Sequence, residues 1–379
     1  MRRLGLFSAL AVLLFARANG QPSLTCKDGR CEKIIYGTVP AVPRLKIYAH
    51  GPVTLRKGTA RNLTYTVKVS IAARSEAAAR RALEQFAVRL HTEGPWMVFS
   101  APGGPAISAI SIQAPSLAAL SVLSSDGAVD ANGIDGPLDV NTRAGNVSVD
   151  HVRGECTLTI GGGNVSVGEI LVGLHCSIGA GHINVRKVAG QAILETQGGD
   201  IIIRQAGGAV RADTGGGGVH IGTAGGAVSA TSGGGEIVVE KAGGTVTIRN
   251  MAGPVQVASA KGVRCESASG GVSLSNITGT MRVQTSMGSI VANLFGSQLA
   301  DSYLATGAGD ITVLIPSNVG VNIRAQNNMA DTVRRILSDY RELQAQIRGS
   351  RVVAEGAVNG GGPVLQITAM GGTIAIKRQ

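Results

Sequence analysis

The sequence predicts a mainly β chain: a β-solenoid, or single-stranded β-helix, with 18-residue coils of two nine-residue half-turns, preceded by a small α+β module. Three observations carry this expectation. A marker glycine recurs every 18 residues at Gly127, Gly145, Gly163, Gly181, Gly199, Gly217, Gly235 and Gly253, and after the loss of one residue at Gly270 and Gly288. Apolar residues stand two and four places after each marker, as at Val147 and Val149 or Ile201 and Ile203, and seven and five places before it, as at Leu138 and Val140 or Val246 and Ile248. A spacing of two is that of a strand with one buried face. Further glycines, including Gly136, Gly154, Gly190, Gly208, Gly226 and Gly244, recur nine after the marker and divide each coil into two half-turns. A period of this size marks a solenoid, in which each repeat buries its apolar face only against its neighbours.

Taken in order, residues 1–20 read as an export signal. Arg2 and Arg3 precede a short apolar run, Leu4 to Phe15, and Ala18-Asn19-Gly20 offers small residues for cleavage. The run is below the roughly 20 residues a membrane span needs, and no later stretch is long enough either. Export places the chain in the periplasm, at the cell surface or outside the cell. Residues 21–115 form the basic α+β module, with short strands around Leu45–Leu55 and Leu63–Ile71. Its one helix is expected at about residues 75–90, capped by Ser75 and stopped by Gly94-Pro95. The solenoid is expected over 116–316, an irregular insertion over 317–362, and over 363–379 a closing strand pair marked by Leu365, Ile367, Gly372, Ile374 and Ile376.

Charge is unevenly placed. Removing Arg2, Arg3 and Arg17 from a net +11 leaves +8, and residues 116–379 hold 19 basic and 19 acidic residues. All the excess therefore sits in residues 21–115. Such a module suits an envelope protein, an anionic polysaccharide or an anionic surface, or equally is a solvated face that keeps an exported protein soluble. Nucleic acid is not expected, because no aromatic residues interleave the charges. Five cysteines in an exported chain permit disulfides. Cys26 and Cys31 flank a turn-prone Asp28-Gly29 and are the candidate pair, whereas Cys156, Cys176 and Cys265 fall on apolar columns as packing residues.

The layout resembles a bacterial family of exported β-solenoid proteins named putative adhesins. The matching features are the Leu45–Leu55 strands, the Ser75–Leu90 helix and the Trp96–Phe99 and Ile107–Ala114 strands. They continue with the Gly-x-Val-x-Val coils, the run Gly309 to Pro316, Ser338-Asp339-Tyr340 and the closing Gly360 to Ile376. The resemblance implies a binding or structural role at the cell envelope and brings no catalytic residues. The Cys26/Cys31 pair is outside the family pattern.

No catalytic constellation is found, and no metal site or cofactor is expected. The glycine runs are followed by strands rather than helices, which excludes phosphate loops. The candidate binding residues are the polar column one place after the marker: Asn146, Asn164, His182, Asp200 and Glu236. Stacked along one edge they form a polar ladder, either a site for an ion or sugar hydroxyl or an exposed row of turn-friendly residues. Two functions follow: a non-enzymatic exported adhesin-like binder or scaffold, or alternatively a β-helix lyase or hydrolase acting on acidic glycans. Against the second, the solenoid has few aromatics to stack on sugars and no column that pairs carboxylates.

Overall fold

In the computed structural model the 18-residue period becomes a period of parallel strands. The structure describes residues 23–27, 30–72, 75–101, 103, 106–296, 299–329 and 331–379. The expected signal at 1–20 and the Asp28-Gly29 turn lie outside the described residues. The fold is mostly β, 63% strand, a solenoid of about eleven turns with 18-residue coils, one small helix and extra strands at the N-terminus. The chain divides into two compact units, one ending at Val172 and one beginning at Gly173.

In the first unit each coil gives one strand to each of two parallel sheets. The first sheet takes the strand after the marker, in register as Val129↔Val147 and Val147↔Val165. The second takes the strand before it, as Leu138↔Cys156 and Val140↔Leu158. The two halves of a coil differ. In the second sheet alternation is unbroken through three inward residues, such as Leu138, Val140 and Thr142. In the first sheet two successive residues point outward before a third inward residue, such as Val152, returns to the core. A left-handed residue makes that step at Gly133 (φ 79°) and His151 (φ 54°). This explains the third apolar column, marked by Ile134, Val152 and Ile170, all fully buried.

The stack extends into the expected α+β module and does not follow chain order. Arg44–Ala49 and Val53–Lys57 form a coil against Ala119–Ser124 and Val129–Asn132. Trp96–Ser100 and Ala106–Ala114 lie outside that coil. The parallel stack therefore begins at Arg44 rather than at 116, because Leu45, Ile47, Val53 and Leu55 present the same buried alternation as any other coil. Antiparallel strands Asn62–Ala72, Arg30–Pro40 and Ser23–Lys27 then close the first sheet. Cys26 and Cys31 are register partners in this closing hairpin, Cα–Cα 4.1 Å, and form a disulfide.

The helix runs over Glu76–Gln85, shorter than the expected 75–90. Ser75 Oγ accepts from the Ala78 N–H at the N-cap, and Ala79 and Leu83 are buried. Its last turn has no basic residue of its own, and Lys33 from a neighbouring strand donates to the Leu83 and Phe86 carbonyls at 2.7 and 3.2 Å. A cation there complements the carbonyl end of the helix. The chain leaves the helix at Phe86 because Arg89–Glu93 pairs with Trp96–Ser100 through a turn at Gly94, φ 55°.

In the second unit the coils repeat the same registers, as Ile201↔Val219 and Val210↔Val228. The missing residue near Gly270 falls in the turn between Ala260 and Gly262. There the Gly262 carbonyl accepts from the Val246 N–H as that of Thr245 accepts from Val228, so that Val246↔Val263 and Val255↔Val272 stay in step. The expected closing pair at 363–379 is not outermost. Val364–Ala369 and Ile374–Arg378 sit between the coil of Ser302–Ile315 and an outer coil made of Val321–Asn327 and Ile336–Ser338. The segment expected to be irregular thus supplies the outer coil, since Val321, Ile323 and Ala325 are buried. Arg351–Val358 then pairs antiparallel with Val321–Asn327, occupying an edge that would otherwise template further pairing.

The marker glycines sit where coils come closest. At Gly163, φ is 134° and a Cβ would lie 2.3 Å from the Gly145 carbonyl oxygen. At Gly198 a Cβ would meet nothing within 4 Å and no left-handed φ occurs. Gly163→Ala is therefore expected to cost about 2–4 kcal/mol from backbone strain and forced coil separation. Gly198→Ala should change stability by less than about 0.5 kcal/mol. Thermal denaturation of the two variants checks this contrast; equal losses would remove the corner constraint.

Cys176 and Cys265 are fully buried, and burial pushes both thiols up from 9.0 to about 12. A thiol raised on folding stabilises fully below its unfolded pKa, and that contribution is lost as pH rises to the folded value. Stability should thus fall between pH 9 and 12, and Cys176→Ala/Cys265→Ala should flatten that fall. Denaturant melts across the window measure it.

Candidate functional site

The polar column after the marker can be followed within each unit. In the first, Asn146 Oδ1 accepts from the Asn164 N–H at 2.9 Å. In the second, His182 Nδ1 accepts from the Asp200 N–H at 3.0 Å, and Asp200 Oδ1 from the Gly218 N–H at 2.8 Å. Ser289 and Asp310 repeat the rung, accepting from the Asp310 and Thr373 N–H groups. Strand pairing consumes this residue's carbonyl, as in Ile201 N–H to Gly218 O, and leaves its N–H without a ladder acceptor. A short side chain one coil away supplies one. The column is therefore a backbone-satisfying device.

Two details follow. His182 Nδ1 also lies 3.3 Å from Asp200 Oδ2, but a nitrogen accepting the Asp200 N–H cannot also donate, and the shorter contact decides for acceptance. Glu236 makes no rung because the next residue of the column is Pro254, which has no N–H; its carboxylate instead accepts from Gln256 at 3.4 Å. Among the described residues no group of three or more His, Cys, Asp or Glu side chains could hold a metal ion.

A second polar column lies three residues before the marker, inside the corner. Thr214 Oγ1 donates to the Gly199 carbonyl at 2.8 Å and accepts from the Gly217 N–H at 3.1 Å. Ser232 repeats the pattern on Gly217 and Gly235, and the Asn250 amide donates to the Gly235 and Gly253 carbonyls. Thr285 Oγ1 is buried and makes no hydrogen bond, and Asn250 Oδ1 is in the same state.

Both of those groups line a groove of about 1230 Å³ on the outward side of the second sheet in the second unit. The groove exists because the residue two before the marker is small along most of this face: Gly215, Gly233, Ala268, Ser286 and Gly307. Met251 and Met370 occupy the same column, 68% and 62% exposed, and rise from its floor. They stand four strands apart, about 19 Å at ~4.8 Å per strand. Among the described residues the one carboxylate lining the groove is Glu266. It is held by Arg264 at 3.0 Å and approached by Arg249 at 3.8 Å.

A smaller cleft of about 570 Å³ lies in the first unit, outside the strands Arg44–Ala49, Ala119–Ser124 and Leu138–Ala144. Cross-strand registers build it. Glu93 is opposite Trp96, and Lys46, Ser121, Asp139 and Thr157 form one row across four strands. Ala119 and Ser121 are short and almost fully buried at the bottom. Trp96, Arg44 and Lys46 rise on one side and Asp139 and Glu155 on the other. A hydrogen bond to Tyr48 holds the Lys46 ammonium above its usual pKa, with Glu93 and Asp139 adding to the effect. Sequence reading missed this cleft; the signal available was that the single tryptophan of the chain stands in a strand beside charged outward positions.

The corner column yields a test. Thr214→Val leaves the Gly217 N–H without its partner and should cost about 1–2 kcal/mol. Thr285→Val removes a hydroxyl that bonds to nothing and should be neutral or stabilising. Urea melts of the pair check the difference; a loss at Thr285 equal to that at Thr214 would contradict it.

No family model matches the chain, and no curated protein matches it. Solved structures do. A putative cell adhesion protein from Clostridium sporogenes ATCC 15579 is 8% identical with a TM-score of 0.20, over 92% of this chain and 100% of that one. A putative adhesin from Bacteroides fragilis NCTC 9343 is 12% identical with a TM-score of 0.20, over 92% and 97%. A putative adhesin from Parabacteroides distasonis ATCC 8503 is 12% identical with a TM-score of 0.24, over 92% and 98%.

Proposed function

We propose that the chain is a non-enzymatic, exported, adhesin-like binding or scaffold protein of the cell envelope or extracellular space. The observation that carries this reading is the long open groove in the second unit. Its floor is small and polar, two exposed methionines rise from it, and buried polar atoms with spare hydrogen-bonding capacity lie beneath it. Such a trough suits an extended polymer or peptide laid along the coils. Acid–base cleavage of a glycan calls for two carboxylates in separate roles. Here one carboxylate is present and arginines compensate it. The basic start and apolar run of residues 1–20 support export. No helix among the described residues is long and apolar enough to cross a membrane.

The test uses labelled chain and purified bacterial envelope. Ala268→Gln/Ser286→Gln fills the groove at two exposed positions and should leave the thermal midpoint unchanged while weakening envelope binding about tenfold or more. Unchanged binding would overturn the groove as the binding face. Incubation with acidic and neutral glycans should release no product; product formation that Asp200→Ala or Glu266→Ala abolishes would replace this reading with the enzymatic one.

A further inference from the structure

The cleft beside Trp96 is built separately from the groove, and its chemistry selects a ligand class. One wall is an indole, half-buried and fixed in the hairpin with Glu93. The rim beside it adds the donors Arg44 and Lys46 and the acceptor Glu93, and the opposite wall carries the acceptors Asp139 and Glu155. We propose that this cleft is a carbohydrate-binding site for a neutral glycan, with Trp96 stacking on one face of a sugar ring and Arg44, Asp139 and Glu155 bonding its hydroxyls.

Three features lead to that class. A sugar ring has an apolar face of C–H groups and an equatorial belt of hydroxyls, each of which donates and accepts. A site for it needs one aromatic plane and both kinds of polar partner at the edge, and the cleft has both. Its formal charge is the second feature. Three carboxylates outnumber two cations, and Lys46 is already engaged by Tyr48, Glu93 and Asp139. A uronic acid or phosphate would meet a net negative site, so an anionic glycan is disfavoured although the surrounding module is basic. Third, a quaternary ammonium would leave Arg44 and Lys46 facing a like charge, and it would find one aromatic ring where such cations are commonly held by several. The cleft volume, about 570 Å³, lies within the ~300–1,000 Å³ range of small-ligand sites.

Trp96 also supplies the assay, because it is the only tryptophan in the chain. The chain is titrated with cellotetraose, mannotetraose, chitotetraose, tetragalacturonate and choline while Trp96 emission is followed. At least one neutral tetrasaccharide should give a saturable change, and Asp139→Ala, which keeps the reporter, should weaken it about tenfold or more. Calorimetry on Trp96→Ala, with the fold checked by circular dichroism, should show binding of that saccharide lost. The groove variant Ala268→Gln/Ser286→Gln should keep the response, which separates this site from the groove. Absence of a saturable change with every neutral saccharide up to about 10 mM would overturn the proposal. So would tighter binding of tetragalacturonate or choline, or full affinity in Trp96→Ala.

Discussion

The rest of the structure depends on the closeness of successive coils at the corner. Parallel strands can stack at ~4.8 Å only if the chain turns twice per coil without side chains wedging the layers apart. The corner backbones therefore approach to within a Cβ of each other: one added at Gly145 would lie 2.3 Å from the Gly127 carbonyl oxygen, and one at Gly217 2.2 Å from that of Gly199. Glycine solves the steric problem and creates a polar one, because a corner without side chains leaves N–H and C=O groups unpaired. The Thr/Ser/Asn column inside the corner and the Asn/His/Asp column just after it answer that second problem. Both are consequences of the first.

The same corner geometry separates what is legible in the sequence from what is not. Period, phase and inward columns follow from local spacing, and each is visible in a single strand. Even the coil at Arg44–Lys57 carried the pattern, as Gly51-x-Val53-x-Leu55, although it fell outside the uninterrupted run. Stack order was not legible. Val321–Asn327 and Val364–Ala369 show the same alternation, and no local feature says which lies next to Ser302–Ala308. The helix end was misplaced for a related reason: Val88 and Leu90 suit a helix face, but the hairpin with Trp96–Ser100 claims the chain from Arg89 onward.

The candidate sites separate in the same way. Asn146, Asn164, His182 and Asp200 looked like ligands because the residue types that hold ions and hydroxyls are also those that accept a neighbouring N–H. Asn146, His182 and Asp200 perform the second task, and Pro254 shows the logic by absence, since the carboxylate of Glu236 before it finds no rung. The Trp96 cleft could not be read in advance because its walls come from residues 44, 93, 96, 139 and 155, which only the registers bring together. The two concave surfaces also differ in kind. The groove follows the repeat and is an elongated trough of small residues, whereas the cleft interrupts the repeat and gathers an aromatic plane with mixed charge.

The interleaved strand pair at Val364–Arg378 has a consequence for how the chain is made. It separates Ser302–Ile315 from the outer coil that precedes it in sequence. As the polypeptide emerges, residues 321–338 arrive before the layer on which they must rest. They have to wait, or stack provisionally on Ser302–Ile315 and later give way. The outer coil of the second unit therefore reaches its place only after Val364–Arg378 has emerged, so synthesis of that segment sets the moment at which the layers close. Loss of Val364–Arg378 would remove two layers, not one, because the outer coil rests on it.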